Sequence, residues 1–316
     1  MPKLLCLGTV GMDVLMKVDS LPEADSFGVI ESSTYLPGGS GTNVAAEASR
    51  MGMDTTYIAK IGDDRFGKDI LMSLEDEGIK HHTMVIKEHG ISLHTYIVID
   101  SKGEKFILLN LGDSFGDLRK EEVSAQAIAS CDVFFTDLFP KEPSLFALEL
   151  AKEKGKKTVF NMQTGLSTLQ AFGFTKEDVL NSLKWVDVFA PSREGLKDLF
   201  GEEDPRLVLK EIRKYFSGII LSTQGAKGVI YIDEEDTVGE VFSLTVDVKD
   251  TTGAGDTFLG AFISSYFNDH RALKEAVTYA NAAAAYTCQS IGARTGPTTD
   301  QLKQFLENYK GESHEV

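Results

Sequence analysis

The segment DTTGAGD at residues 250–256 places two carboxylates around a short glycine-rich backbone, directly before an apolar, helix-like run. Backbone N–H groups at a helix start are free and carry a partial positive charge. We therefore predict that Gly253, Ala254 and Gly255 form an anion hole for a phosphoryl group in transit. Asp256 falls in the first helical turn, where a carboxylate can accept the proton of an attacking hydroxyl, so we predict that it is the catalytic base. The alternative is that Asp256 only caps its helix.

The other common motifs of phosphate and hydrolytic chemistry are missing from the sequence. There is no GxxxxGK[ST] loop, no GxGxxG after a strand and no GxSxG segment. These absences exclude a P-loop enzyme and weaken a dinucleotide-binding or serine-hydrolase interpretation. The sequence contains no HExxH, EF-hand or CxxC pattern, so it does not indicate a metal centre built from protein ligands alone.

The chain of 316 residues carries 48 acidic and 32 basic residues, a net charge of −16. Such a field repels nucleic acid and anionic membranes, so we expect neither as a partner. No apolar run is long enough to span a bilayer, and the first residues are typical of a strand and not of a signal peptide. The three cysteines are isolated, which is typical of a reducing compartment, and we expect a cytoplasmic protein.

Short β-rich runs alternate with amphipathic stretches along most of the chain, which predicts an α/β fold with a mainly parallel sheet and helices on both faces. Two regions, about 14–37 and 91–110, lack this alternation. The second region is typical of a hairpin that turns at residues 101–103. We predict that the two regions form one small sheet outside the main one. No linker or repeat interrupts the sequence, and a chain of this length can form one large α/β domain or two domains.

Polar residues follow several predicted strands at the point where each strand ends. In a parallel α/β sheet these ends meet at one edge, where binding sites usually lie. Each residue alone is more typical of a turn or a helix cap, but their recurrence favours a functional edge. They are Asp13, Asp137, Asn161, Ser192, and Thr223 with Gly225.

The motifs resemble those of the ribokinase-like, or pfkB-type, carbohydrate kinases. DTTGAGDTF at 250–258 is similar to the C-terminal signature of that family, and PGGSGTNVA at 37–45 is similar to the N-terminal signature. The segments at 61–67, 222–228 and 280–285 also occur in the family's order and spacing. The resemblance covers nearly the whole chain. It implies a single domain over residues 1–316, with a three-layer α/β/α core and a small β-sheet lid over the sugar, formed here by about 14–37 and 91–110.

The resemblance also implies roles for individual positions. Catalysis falls to Asp256 with Gly253, Ala254 and Gly255. The resemblance implies substrate binding by Asp13, Gly38, Gly39 and Asn43. We add Asn110, Asp137 and Asn161 as candidate substrate residues, because they lie at strand ends and rims beside the predicted sugar site. Nucleotide binding falls to Ser192, Thr223, Gly225, Gly228 and Asn281. In members that use a monovalent cation such as K⁺, the carbonyl oxygens at the positions of Asp250 and Thr252 would coordinate it.

Some positions depart from the family pattern. Ser192 and Gly195 stand where an Asn and an acid are usual, so the magnesium ligands are not assigned. Gly11 replaces the Asn of ribose-specific members, and Ser40 replaces a lysine of several kinases for phosphorylated sugars. In the lid, His94 either faces the substrate or lies in solvent at a strand edge.

The sequence therefore predicts a kinase that transfers the γ-phosphate of ATP, bound with Mg²⁺, to a hydroxyl of a small sugar or sugar-like substrate. A nucleoside kinase of the same fold is one alternative; an aromatic cradle for a base would favour it, and the sequence shows no clear one. A non-catalytic, sugar-binding regulator is the other, although Asp256 and the glycines are present. Because the lid strands are short and carry the apolar run 96–99, we also expect a homodimer through the lids.

Overall fold

The computed structural model describes residues 1–312. Its strands are β1 (Lys3–Leu7), β2 (Gly11–Val18), β3 (Ile30–Gly38), β4 (Asp54–Ile58), β5 (Lys60–Gly62), β6 (Val85–Lys87), β7 (His94–Ile99), β8 (Lys105–Asn110), β9 (Val133–Thr136), β10 (Lys157–Met162), β11 (Val188–Pro191), β12 (Ile219–Thr223), β13 (Val229–Ile232) and β14 (Val238–Val241). Its α-helices are α1 (Ser40–Arg50), α2 (Arg65–Asp76), α3 (Ala125–Ser130), α4 (Lys141–Glu153), α5 (Leu166–Ala171), α6 (Lys176–Ser182), α7 (Arg193–Phe200), α8 (Pro205–Ile212), α9 (Ala254–Ile263), α10 (Leu273–Thr287) and α11 (Thr299–Glu312). None of the helices within residues 1–312 is long and apolar enough to cross a membrane.

The main sheet has eight strands in the order β14-β13-β12-β11-β10-β9-β1-β4. All neighbours pair in parallel except β13, which is antiparallel to both β12 and β14. Every residue of β9 is buried, and its successive side chains enter different cores: Phe134 packs on one face and Phe135 on the other. A strand covered on both faces has a continuous apolar sequence. The prediction of a three-layer α/β/α core is confirmed.

A second sheet of four strands has the order β3-β2-β7-β8. Two antiparallel hairpins, β2–β3 and β7–β8, are joined by parallel pairing of β2 with β7. The residues of β8 are exposed along its whole length. The remaining strands, β5 and β6, form a two-stranded parallel sheet.

Helices α1 and α9 pack closely against each other, and this contact determines where their N-termini lie. A Cβ atom at Gly260 of α9 would lie 2.6 Å from the carbonyl oxygen of Val44 in α1, so the contact requires glycine there. Gly39, which precedes α1, has φ +89°, and a Cβ would lie 2.6 Å from the Thr9 carbonyl oxygen. Positive φ and close backbone approach are both conditions that favour glycine. Glycine thus brings the starts of both helices to the same edge of the main sheet.

Candidate active site

Asp256 lies in the first turn of α9 and is buried, with 3% of its surface exposed. The Ser40 hydroxyl donates a hydrogen bond of 2.7 Å to its Oδ1 atom, and Asn43 Nδ2 donates one of 2.9 Å to Oδ2. Both donors belong to α1, so the packing of α1 on α9 fixes the orientation of the carboxylate. Each carboxylate oxygen has a further lone pair that can accept a second hydrogen bond, for example from a substrate hydroxyl.

Burial raises the pKa of Asp256 to about 6, and the neighbouring charge of Asp137 acts in the same direction. The hydrogen bonds from Ser40 and Asn43 oppose this rise, because they stabilise the ionised form. A carboxylate with a pKa near 6 is ionised at neutral pH and is still basic enough to take a proton from an alcohol during attack.

Arg294 is the residue at this site that the sequence did not reveal. Its Nε donates a hydrogen bond of 2.8 Å to Asn43 Oδ1. Its Nη2 donates two more, one of 2.7 Å to the Thr42 hydroxyl and one of 3.0 Å to the Gly38 carbonyl oxygen. Since Asn43 Nδ2 in turn holds Asp256, Arg294 fixes which end of the Asn43 amide faces the carboxylate. Burial lowers the pKa of Arg294 to about 10, so it stays charged at neutral pH. Nothing in the local segment around residue 294 indicates this contact.

A cavity of about 280 Å³, which we call the substrate cavity, lies between the second sheet and the edge of the main sheet. Three of the predicted substrate residues line it: Asp13, Gly39 and Asp137. Ser40, which bonds Asp256, lines it as well. The other lining residues are Thr9, Gly11, Leu93, Thr95, Leu109, Leu111, Phe115, Phe139, Met162, Gln163, Thr164, Thr168, Leu169 and Phe172.

Two carboxylates line the substrate cavity: Asp137 is buried and Asp13 is half-buried. Asp13 accepts a hydrogen bond from the Thr95 hydroxyl, across the parallel pairing of β2 with β7. Asp137 accepts one hydrogen bond of 2.8 Å from the Thr9 amide and another of 3.0 Å from the Phe139 amide. Burial raises the pKa of Asp13, and it raises that of Asp137 to about 6. Carboxylates held in this way are suited to accept hydrogen bonds from substrate hydroxyls.

A second cavity of about 500 Å³, which we call the nucleotide cavity, lies on the other side of the α9 N-terminus. It is lined by four of the predicted nucleotide residues, Thr223, Gly225, Gly228 and Asn281, together with Ala254 and Gly255. Its remaining lining residues are Ala226, Val229, Ser243, Leu244, Thr245, Val246, Val248, Thr251, Phe258, Ala284, Ala285 and Cys288.

A small cavity of about 60 Å³ has lining residues in common with each of the other two. It shares Gly255 with the nucleotide cavity and Gln163 with the substrate cavity, and Asp256 forms part of its wall. Asn161 and Ser192 also line it, and the Ser192 hydroxyl accepts 2.9 Å from the Gly195 amide as the cap of α7. The small cavity therefore borders both of the others, and Asp256 lies in its wall.

The helix start at the small cavity is shaped by glycine. Gly253 adopts the left-handed conformation, with φ +77°, and a Cβ there would lie 2.2 Å from the Ala293 carbonyl oxygen. A Cβ built on Gly255 would meet no atom within 4 Å, so the space before the helix is open. The Ala254 N–H, which the sequence predicted for the anion hole, instead donates 3.2 Å to the Thr251 carbonyl oxygen. The N–H groups of Gly255 and Asp256 are therefore the ones at the helix start that suit an anion.

Several predicted residues do not line the substrate cavity. Gly38 lies behind Asp13, whose carboxylate would be 2.4 Å from a Cβ at that position. The side-chain amide of Asn43 donates to Asp256 and accepts from Arg294, so both of its ends are engaged. Asn110 is exposed, and its amide contacts His94 and the Gly112 N–H, because strand alternation turns Leu109 into the cavity and Asn110 away from it.

Both expectations for His94 were wrong. Its side chain is buried and does not line the substrate cavity. The imidazole stacks on Phe66 of α2 with ring centroids 4.1 Å apart, and its Nδ1 lies 2.9 Å from the Ser92 carbonyl oxygen. His94 therefore attaches the second sheet to α2.

The loop at residues 250–252 is closed by the Asp250 carboxylate. It accepts from the Thr252 amide at 3.0 Å, from the Thr252 hydroxyl at 2.6 Å and from the Gly292 amide at 2.9 Å. Within residues 1–312, no three His, Cys, Asp or Glu side chains cluster in a way that could hold a metal ion. A cation at this loop would depend on backbone carbonyl groups.

Comparison with known proteins agrees with this geometry. An ATP-dependent ribose-1-phosphate kinase from Halopiger xanaduensis is 32% identical over 308 residues, which cover 97% of this chain and 98% of the relative. A ribokinase from Lactococcus lactis is 26% identical over 318 residues, 97% of this chain and 98% of the relative. The crystal structure of ribokinase from Thermotoga maritima has the same fold, with a TM-score of 0.84 at 21% identity over 98% of this chain and 100% of that one.

The family model described as "pfkB family carbohydrate kinase" matches residues 1–300. The chain therefore belongs to the pfkB family and is a carbohydrate kinase, a phosphotransferase with an alcohol group as acceptor.

Proposed function

We propose that the protein transfers the γ-phosphate of ATP to a hydroxyl of a small sugar or sugar-like substrate, with Asp256 as the base. The observation that carries this proposal is the position of Asp256 in the small cavity, between the substrate cavity and the nucleotide cavity. A hydroxyl that enters from one side and a phosphoryl group that enters from the other would meet beside this carboxylate.

In the proposed reaction Asp256 accepts the proton of the attacking hydroxyl as the oxygen–phosphorus bond forms. Ser40 and Asn43 hold the carboxylate in place, and Arg294 holds Asn43. The N–H groups at the start of α9 stabilise the negative charge on the transferring group. Because these donors are fixed before the substrate binds, little reorganisation accompanies the reaction.

ATP would occupy the nucleotide cavity. A ribokinase from Arabidopsis thaliana of the same fold was solved with ribose and ATP, and a related structure from E. coli holds ATP and Mg²⁺. When bound, Mg²⁺ would neutralise the charge of the phosphates. The oxygens of Asn161 and Gln163 in the small cavity suit this ion, which usually keeps several waters and few protein ligands. A monovalent cation such as K⁺ would bind carbonyl groups of the loop from Asp250 to Thr252.

The second sheet would act as a lid. Thr95 of β7 and Leu109 of β8 line the substrate cavity, so a small movement of this sheet changes how open the cavity is. Closure would exclude water from the phosphoryl group and limit hydrolysis of ATP.

The test is the variant Asp256→Asn, which keeps the shape of the side chain but removes the base and replaces one acceptor oxygen with an amide donor. We expect the fold and ATP binding to be retained and kcat to fall by roughly 10²-fold or more, the scale of losing a general base. Asp76→Asn, at an exposed carboxylate of α2, is the matched control and should keep wild-type turnover. Turnover of Asp256→Asn within a few-fold of wild type would remove Asp256 from this role.

A further inference from the structure

The segment between α10 and α11 packs against the loop that precedes α9. The Gly292 N–H donates a hydrogen bond of 2.9 Å to the Asp250 carboxylate, and a Cβ at Gly253 would lie 2.2 Å from the Ala293 carbonyl oxygen. The next residue in the chain is Arg294. Its backbone is therefore held against the loop that leads into the start of α9.

The Arg294 side chain extends from this segment to α1 and to the second sheet. Its hydrogen bonds reach Asn43 and Thr42 of α1 and the carbonyl oxygen of Gly38, the last residue of β3. The Thr42 hydroxyl donates a hydrogen bond of 2.7 Å to the same carbonyl oxygen of Gly38. One side chain thus contacts both the residue that bonds Asp256 and the end of a strand of the second sheet.

The guanidinium group of Arg294 is not fully satisfied where it lies. Its Nη1 atom is buried and has no hydrogen-bond partner within residues 1–312. Burial lowers its pKa to about 10, because the surroundings disfavour the charged form. A buried cation with an unpaired donor costs stability. A contribution to stability therefore explains this arginine poorly, and its effect on neighbouring groups of the site explains it better.

Arg294 is a positive charge close to Asp256. Burial raises the pKa of Asp256, the charge of Asp137 adds to the rise, and Arg294 opposes it. Tyr57 of β4 is also near, but burial raises its pKa well above the usual value, so it is neutral at neutral pH. For Asp13 of β2, burial again raises the pKa and Arg294 again opposes the rise. The charge of Arg294 thus favours the ionised form of both Asp256 and Asp13.

Two further charged groups lie beside Arg294, and they pair with each other. Arg50 of α1 forms an ion pair with Glu77, which follows α2. Arg50 also donates a hydrogen bond of 2.9 Å to the Arg294 carbonyl oxygen and one of 3.1 Å to that of Gly296. Arg50 therefore supports the same segment as Arg294 but bonds only its backbone there, which makes it a matched control.

We propose, building on the kinase function proposed above, that Arg294 is a positioning residue for phosphoryl transfer. It orients the Asn43 amide so that the NH₂ group faces Asp256, and its positive charge keeps this base ionised. Its bond to Gly38 and the contacts of its own segment also link the second sheet to the start of α9. Arg294 is not among the residues that line the three cavities, so it acts through Asn43 and through its charge.

The first experiment compares Arg294→Lys with Arg50→Lys. Both variants keep the positive charge and lose a planar group that makes several hydrogen bonds. Without the bond from Arg294, the Asn43 amide can rotate and turn its oxygen toward Asp256. We expect Arg294→Lys to lower kcat about tenfold with little change in KM, and Arg50→Lys to change kcat less than about threefold. Turnover is followed as ADP release with ATP, Mg²⁺ and the best acceptor among ribose, fructose, ribose 1-phosphate and adenosine.

The second experiment removes the charge with Arg294→Gln and follows the titration of the Asp256 carboxyl group by ¹³C NMR, with Asp256→Asn to assign the signal. This titration requires no acceptor. We expect its midpoint to rise by about half a pH unit or more in Arg294→Gln and to stay close to that of wild type in Arg294→Lys. The acid limb of kcat/KM should move to higher pH in Arg294→Gln, because less of the base is ionised at a given pH.

Three results would each overturn the proposal. Wild-type kcat in Arg294→Lys would remove the orienting role, and equal losses in both lysine variants would leave Arg294 only a structural contact of its segment. An unchanged midpoint in Arg294→Gln would remove the role of the charge. If Arg294→Gln does not fold, the lysine variants decide, and if no acceptor supports turnover, the titration decides. The kinase proposal fails separately, through wild-type turnover of Asp256→Asn.

Discussion

Replacing Glu47 with glutamine is expected to remove a loss of stability that the wild type shows as the pH rises from 6 to 8. Glu47 lies on α1, one turn after Asn43, and only 2% of its surface is exposed. Neither of its carboxylate oxygens has a hydrogen-bond partner within residues 1–312. Gly296 allows the close approach, because a Cβ there would lie 1.9 Å from Glu47 Oε2. A buried carboxylate without a partner is costly in its ionised form.

Burial raises the pKa of Glu47 from 4.5 to about 8, although the nearby Arg50 acts in the opposite direction. The unfolded state therefore loses this proton near pH 4.5, whereas the folded state keeps it until about pH 8. Between these values the folded state binds more protons, so stability falls as the pH rises. At about 1.4 kcal/mol per pH unit, and with the slope declining near pH 8, Glu47 should cost about 2 kcal/mol between pH 6 and pH 8.

The assay is urea unfolding of wild type and Glu47→Gln at pH 6 and pH 8, followed by circular dichroism. Between these two pH values the wild type should lose about 2 kcal/mol more unfolding free energy than the variant, which cannot ionise at residue 47. Glu88→Gln is the control, because that carboxylate is 87% exposed and should leave the pH dependence unchanged. If the wild type and Glu47→Gln show the same pH dependence, then Glu47 is not buried as an unpartnered carboxyl group, and the reasoning fails.

Three further predictions concern the site and the lid. Because burial raises the pKa of Asp256 to about 6 and the base must be ionised, kcat/KM should fall as the pH drops through about 6; a rate that stays constant down to pH 5 would contradict this. Despite the net charge of −16, calorimetry should detect binding of ATP with Mg²⁺, since local N–H donors outweigh distant screened charges; no binding at millimolar ATP would favour a non-catalytic regulator. Ile97 of β7 pairs with Ile107, which is 54% exposed, so Ile97→Lys should weaken a homodimer formed through the second sheet; light scattering that shows a monomer for wild type at all practical concentrations would refute the dimer.

The main sheet could be predicted because its signal is local. Parallel strands buried on both faces are short apolar runs, and β9 shows this directly, with all four residues buried. The pairing of β2 with β7 could not be predicted in the same way. Strand periodicity states which face of a strand is apolar, but not which distant strand becomes its neighbour.

The same distinction between local signals and long-range contacts applies to the candidate site. Glycine at residue 253 and the acid at 256 are visible in one short segment, because helix starts and left-handed turns depend on neighbouring residues. The environment of Asp256 depends on Asn43, 213 residues away, and Asn43 depends on Arg294, 251 residues away. The role of Asn43 toward Asp256 follows from the packing of α1 on α9, and that of Arg294 follows from the contact of the segment between α10 and α11 with α1.

The sequence by itself determined the fold class, the glycine-rich helix start and the acid beside it, since these follow from local periodicity and backbone freedom. Only the tertiary structure decided the rest of the site: the orientation of Asp256, the burial of His94 against Phe66, and the set of side chains that line the substrate cavity. The physical reason is that such contacts join side chains from strands and loops far apart in the chain. Their meeting depends on strand order and helix packing, which no short segment encodes.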